Sequence, residues 1–200
     1  FRRVLFRSLA PAYQDWTKNH PGLLAYWTMD TDTTDLTGER TAQLIGGILT
    51  HFEGPLGAGS VSLEDGRFMK IANDDGTLDA PETTIELFFR PTSPPSNASD
   101  NPCLLAIRED DTRLSLHMGS NRKSFLVWNG KRITTLKLSE ELQMGRWYHV
   151  ALTATANEFS LHLDGQPAEL HSPEGGLNLA ATNLPLYLTA SNNKAGRSEE

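Results

Sequence analysis

The stretch Gly145-Arg-Trp-Tyr-His-Val-Ala-Leu-Thr-Ala-Thr155, followed by Glu158-Phe-Ser-Leu-His-Leu-Asp-Gly165, decides the fold of this 200-residue chain. Trp147, His149, Ala151 and Thr153 alternate with Tyr148, Val150, Leu152 and Ala154. Successive side chains of an extended strand point to opposite sides, so these two sets belong to opposite faces of a sheet. In the next run Phe159, Leu161 and Leu163 share one face, and Ser160 and His162 take the other. Asp164-Gly165 ends that run with a turn dipeptide, because glycine accepts positive φ without steric cost. Two neighbouring antiparallel strands are predicted.

The same alternation recurs upstream. In Thr83-Thr-Ile-Glu-Leu-Phe-Phe-Arg-Pro91, Ile85, Leu87 and Phe89 face one side while Glu86, Phe88 and Arg90 face the other. Short strands are predicted at Cys103–Arg108, Arg113–His117, Ser124–Trp128 and Arg132–Leu138. Turns at Glu109–Asp111, Gly119–Asn121 and Asn129-Gly130 separate them. Asn129-Gly130 reads as a type I′ hairpin turn, which needs positive φ at both central residues. The segment Pro91–Pro102 carries four prolines among small polar residues and reads as a surface loop, since proline cannot donate to a ladder.

Toward the N-terminus, Gly22–Asp30 reads as a first strand and residues 9–20 as a short helix stopped by Asn19-His-Pro-Gly22. Ile45–Ile48 and Gly54–Gly59 are turn-rich, and Asn73-Asp-Asp-Gly76 is a further turn. Ser60–Glu64 and Arg67–Ala72 flank Asp65-Gly66 as a hairpin, and Leu184–Ala190 is the last strand. Short strands at even spacing, with turn signals between them, predict an all-β antiparallel two-sheet sandwich.

Composition narrows the classes of function. The hydrophobic share of 38% suffices for one sandwich core. No apolar run approaches the roughly 20 residues needed to span a bilayer, so no membrane span is expected. The net charge of −7 disfavours polyanions, nucleic acid among them. Cys103, the chain's one cysteine, lies in the apolar run Cys103–Ile107 and reads as a buried, inert thiol. Asn97-Ala-Ser99 is an N-glycosylation sequon that matters only in a eukaryotic secretory pathway.

Several of these segments together resemble laminin-G-like domains of the concanavalin-A-like lectin/glucanase jelly-roll class, in the variety found in bacterial exported proteins. Trp147-x-His149-Val-Ala151 with Leu161-x-x-Asp164-Gly165 is similar to that family's hairpin signature. Tyr26-Trp27 is similar to its opening strand, and Asp35-Leu-Thr-Gly38 to the turn that follows. Thr84-x-Glu86-x-Phe88-Phe89-x-Pro91 is similar to its second strand. Tyr26, Trp27, Glu86, Trp147, His149, Asp164 and Gly165 then form a structural signature. The resemblance covers about residues 22–190 and implies a jelly roll. It also implies a recognition module for a glycan or protein, outside the cell, on its surface or in the periplasm, within a larger parent protein with flanking domains. Its rivals are a ligand-free spacer and a fragment of a glycoside hydrolase.

Both ends resemble translated short-read sequencing adapter. Residues 1–8 match the translation of such a sequence, and Arg197–Glu200 match the translation of the reverse complement of its codons for Leu5–Ser8. The expected organisation is therefore non-native residues 1–8, a lead-in helix or linker over 9–21, a jelly-roll domain over 22–196, and non-native residues 197–200. On this reading the jelly roll is C-terminally truncated and lacks its final strand, which the resemblance implies would pair with the first.

Chemistry-bearing motifs are sparse. A retaining glycosidase needs two carboxylates about 5.5 Å apart, and no Glu-x-Asp-x-x-Glu pattern occurs on any predicted strand, so no catalytic residues are assigned and a non-enzyme is expected. Glu109-Asp-Asp111 and Glu140-Glu141 read as solvated turns. His20, His51, His117, His149, His162 and His171 do not form a zinc motif; His149 and His162 lie on neighbouring strands and could meet. Trp128, Tyr148 and Phe88 are candidate aromatic platforms for a sugar. Ca²⁺ is the one candidate ion, as the resemblance implies, with Asp30, Asp32, Asp74, Asp75 and Asp110 as candidate ligands in oxygen-rich loops.

Overall fold

The computed structural model describes residues 12–29, 32–37, 40–45, 54–55, 59–63, 67–109, 112–171, 176 and 183–189. The chain divides into two compact units, Phe1–Ala72 and Asn73–Glu200. Residues 1–8, 197–200, Asp30, Asp65-Gly66 and Asp110 lie outside the described residues.

In the first unit, residues 12–18 form a helix. Tyr13 and Trp16, three residues apart, bring their rings to 6.3 Å. Strand β1 (Gln43–Ile45) pairs antiparallel with β2 (Phe68–Ile71). This corrects one expectation: Phe68–Ile71 takes β1 as a partner in place of Ser60–Glu64. Of the turn-rich Ile45–Ile48, only Ile45 is described, and it ends β1. The expected first strand also fails over residues 22–29, which are irregular. Its backbone is held locally: Tyr26 N–H donates to the Asp35 side chain at Oδ1, 2.7 Å away, and Tyr26 O accepts the Leu36 backbone amide at 2.9 Å. Asp35 Oδ1 also accepts from the amide and hydroxyl of Thr37, both at 3.0 Å. Asx and ST turns of this kind compete with ladder pairing.

The second unit is the all-β two-sheet sandwich that the alternation predicted, a jelly roll as the resemblance implied. Its strands are β3 (Thr83–Phe89), β4 (Cys103–Arg108), β5 (Thr112–Met118), β6 (Ser124–Trp128), β7 (Ile133–Lys137), β8 (Tyr148–Ala154), β9 (Phe159–Leu163), β10 (Gln166–Pro167), β11 (Glu169–His171) and β12 (Leu186–Leu188). Strands β10-β9-β8-β3 form one antiparallel sheet; β12-β4-β5-β6-β7-β11 run side by side in the other. Ala168 alone separates β10 from β11, so the chain changes sheets there.

The core lies between the two sheets. Tyr148, Val150, Leu152 and Ala154 of β8 are buried in it with Phe159 and Leu161 of β9. Leu114, Leu116 and Met118 of β5, Phe125 and Val127 of β6 and Leu136 of β7 meet them from the opposite sheet. Ile85, Leu87 and Phe89 pack against this cluster. Period-two patterning thus sends one set of side chains inward and leaves the other on the outer face.

Turn chemistry departs from expectation at one site. Asp164 and Gly165 have φ of 49° and 77° and join the directly paired Leu163 and Gln166, as a type I′ turn does. At Asn129-Gly130 only the glycine is left-handed, with φ of 84°. Trp128 pairs with Ile133, so four residues lie between the strands. Asn129 acts through its side chain, whose Oδ1 accepts from the amides of Lys131 and Arg132 at 3.2 and 3.0 Å. A four-residue loop relieves Asn129 of the positive φ that a two-residue loop demands.

Residues 92–101 run largely exposed at the surface, as expected of the proline-rich segment. Ser96 donates its amide and hydroxyl to Asp100 at 2.7 and 2.8 Å, which holds that carboxyl below its ordinary range. Among the described residues no helix is long and apolar enough to cross a membrane.

Candidate functional site

The outer face of the β10-β9-β8-β3 sheet carries one cluster of charged and aromatic side chains. Its residues follow from register. Phe88 pairs with His149 and Glu86 with Ala151 across β3 and β8; Ala151 pairs with His162 across β8 and β9. The inward set is core, so Thr84, Glu86, Phe88 and Arg90 line up against Thr153, Ala151, His149 and Trp147 on the solvent side.

These side chains interact in rungs. At one end the Thr84 and Thr153 hydroxyls lie 3.0 Å apart. Next, His149 Nε2 is 3.0 Å from Glu86 Oε2 and donates to it. The imidazole also packs on Phe88, ring centroids 4.7 Å apart at an interplanar angle of 35°. At the far end the Arg90 guanidinium lies over Trp147, 5.2 Å from the ring centroid. Cross-strand pairs of this kind each add a few tenths to about 1 kcal/mol to a sheet.

Asp164 ties the turn to the head of β8. Its Oδ1 accepts the His149 amide at 2.9 Å, and its Oδ2 accepts from Arg146 at 3.0 Å. The side chains of Glu86 and His149 remain 49% and 28% exposed, so the pair stays open to a ligand from solvent. The arrangement offers two aromatic surfaces, Phe88 with its tilted imidazole neighbour and Trp147, beside charged hydrogen-bonding groups.

Of the residues singled out from sequence, Glu86, Phe88, Trp147, His149, Asp164 and Gly165 are brought together on this face and its adjoining turn. Trp128 is not. It alternates with the buried Phe125 and Val127, which places it half-buried on the outer face of the opposite sheet. Tyr148 points inward and is 4% exposed. Its ring stacks on Phe89 at 5.7 Å, and its hydroxyl accepts the Gln143 amide at 2.6 Å. The three proposed platforms therefore occupy three separate places. Tyr26 and Trp27 lie in the first unit, where Trp27 Nε1 is buried with no hydrogen-bond partner among the described residues. The contact considered between His149 and His162 gives way to pairing of His149 with Glu86 and Phe88.

Of the carboxylates weighed for Ca²⁺, Asp32, Asp74 and Asp75 are described. Asp32 Oδ1 accepts the Thr34 amide at 2.8 Å and Asp75 Oδ1 accepts the Thr77 amide at 3.1 Å, as turn-forming side chains do. Asp74 contributes its backbone carbonyl to Asn183 Nδ2 at 3.1 Å. Asp30 and Asp110 lie outside the described residues. Among the described residues no three His, Cys, Asp or Glu side chains converge on one point.

Arg90 and Arg146 were not singled out from sequence as site residues. For Arg90 the signal was present: it continues the Glu86, Phe88 face by the period of two.

A family profile described as the concanavalin A-like lectin/glucanases superfamily matches residues 65–199. Among solved structures, domain 4 of a GH43 extracellular arabinanase from Geobacillus stearothermophilus, solved with arabinotriose, is similar at a TM-score of 0.60 and 13% identity. That match covers 82% of this chain and 81% of that one. The binding domain of botulinum neurotoxin DC, solved with rat synaptotagmin II, is similar at a TM-score of 0.55 and 12% identity, covering 84% of this chain and 43% of that one. Trypanosoma rangeli sialidase is similar at a TM-score of 0.54 and 15% identity, covering 83% of this chain and 27% of that one. Likeness at these identities is likeness of fold. No curated protein sequence matches the chain.

Proposed function

The chain belongs to the concanavalin A-like lectin/glucanases superfamily, and from that premise we propose that it is a non-catalytic glycan-recognition module of a larger exported or cell-surface protein. The observation that carries the reading is the outer face of the β3–β8 pair. Phe88 and Trp147 lie half-buried there, on a solvent side that alternation would fill with polar residues, and Glu86 and His149 stand beside Phe88. Sugar rings have an apolar C–H face and an equatorial belt of hydroxyls. An aromatic surface with carboxylate and imidazole hydrogen-bonding groups at its edge complements both. The fold shared with an arabinanase domain solved with arabinotriose adds support.

The non-catalytic part of the reading rests on the carboxylates of this face. Glu86 accepts from His149, and Asp164 accepts from Arg146 and from the His149 amide. Both act as structural acceptors, whereas a retaining glycosidase needs its two carboxylates aimed at one glycosidic bond.

Titration calorimetry against neutral and acidic oligosaccharides tests the proposal, with Trp147→Ala and Phe88→Ala beside the parent protein. Each substitution is expected to weaken binding about tenfold, the scale of one lost stacking surface. Saccharide binding that neither substitution affects would remove this face from the reading. Absence of binding to any saccharide would leave the spacer role. Sugar release from a β-glucan, abolished by Glu86→Gln, would favour a hydrolase.

A further inference from the structure

Resting on the glycan reading above, we infer that the saccharide bound by this face carries a carboxylate, as a uronic-acid sugar does, and that Arg90 receives it. The two carboxylates of the face already have partners, Glu86 in the His149 imidazole and Asp164 in the Arg146 guanidinium. Arg90 has none: among the described residues its guanidinium makes the ring contact with Trp147 and no hydrogen bond or ion pair. Its five N–H donors are thus uncommitted on a half-buried side chain.

A planar guanidinium matches a carboxylate through two parallel N–H···O bonds, and such charge-assisted pairs are the stronger class of hydrogen bond. The Trp147 ring beneath it restricts the side chain before any ligand arrives, so less rotamer freedom is lost on binding. Phe88 and its imidazole partner lie on the same face, two positions back along β3. One sugar carboxylate can therefore sit on Arg90 while rings of the same chain reach Trp147 or Phe88. The net charge of −7 repels dense polyanions at long range. That favours a saccharide with few, contact-read carboxylates over a heavily sulfated polymer or nucleic acid.

Calorimetry with matched pairs tests this: trigalacturonate against its neutral methyl ester, and glucuronic-acid-substituted xylotriose against xylotriose. The acid of at least one pair is expected to bind about tenfold more tightly than its neutral form. Arg90→Gln should bring the two forms to equal affinity, and Arg90→Lys should keep about threefold of the preference with steeper salt dependence. Unchanged thermal unfolding of both variants verifies that the fold is intact. Equal binding of acid and neutral forms by the parent protein would overturn the inference while leaving the glycan reading in place. So would a preference that survives Arg90→Gln. Binding of neither form of either pair, nor of any other saccharide, would overturn both.

Discussion

Cys103 is 4% exposed and donates its thiol to Leu105 O at 3.3 Å. Burial pushes the thiol up from its ordinary 9.0 to about 12, against smaller opposing effects of the Leu105 hydrogen bond and the Arg108 charge. The unfolded chain then releases this proton from pH 9 upward while the folded protein keeps it. The unfolded state binds fewer protons over that window, so stability is full below pH 9 and is lost as pH rises toward 12. Denaturant unfolding of the parent protein and of Cys103→Ala measures the effect. The stability difference between them should be constant below pH 9 and should then shift steadily against the parent protein up to pH 11. A difference independent of pH would refute the assignment. The buried thiol was legible because Cys103 opens an apolar run. Asp35 was not fully legible. Its turn was readable from Asp-Leu-Thr-Gly, but not that its carboxylate would accept the Tyr26 amide nine residues back and so deny Tyr26 a place in a ladder.

At the scale of elements, two dipeptides that look alike behave differently. Asp164-Gly165 closes β9 onto β10 in a two-residue loop, whereas Asn129-Gly130 opens a four-residue loop between β6 and β7. Loop length is set by which strand residues pair, a long-range fact that a local dipeptide does not carry. The same limit explains β1 and β2: Phe68–Ile71 was correctly read as extended, and its partner was not. The glycines permit a sharp comparison. A Cβ on Gly165 would meet nothing within 4 Å, but φ is 77°, so Gly165→Ala incurs only the backbone penalty, about 1 kcal/mol. A Cβ on Gly119 would lie 2.4 Å from Ser124 Oγ and 3.1 Å from the Ser124 carbonyl. Relief requires moving a hydroxyl that donates to Asn121 Oδ1 at 3.0 Å, or moving the β6 backbone. Gly119→Ala is expected to cost more, about 1–3 kcal/mol. Thermal unfolding of the two variants checks the order, and a larger loss for Gly165→Ala would refute it.

Over the whole second unit, the sandwich divides labour between the faces of one sheet, and adjacent residues of β3 make the division measurable. The alternation of β3, β8 and β9 was readable because one face of each strand is packed in the core, and a slip of one residue would expose it. The candidate site was readable only in part. Phe88 and Glu86 carry a β-strand signature, yet their union with Trp147 and His149 depends on the register of β3 against β8. Trp128 and Tyr148 looked equally eligible until their sheet and face were known. Phe89 faces the core, with its ring 6.1 Å from Phe125 and 5.7 Å from Tyr148. Phe88 faces solvent against His149. Phe89→Ala should therefore lower the unfolding free energy by about 3–5 kcal/mol, the loss typical of a phenylalanine emptied from a core. Phe88→Ala should cost about 1 kcal/mol or less, because a half-exposed ring leaves no closed cavity. Binding should reverse the order: under conditions where both variants are folded, Phe88→Ala weakens saccharide affinity and Phe89→Ala retains it. Equal stability losses at the two positions would mean that the outer face is itself covered and packed, and it could not then serve as the binding surface.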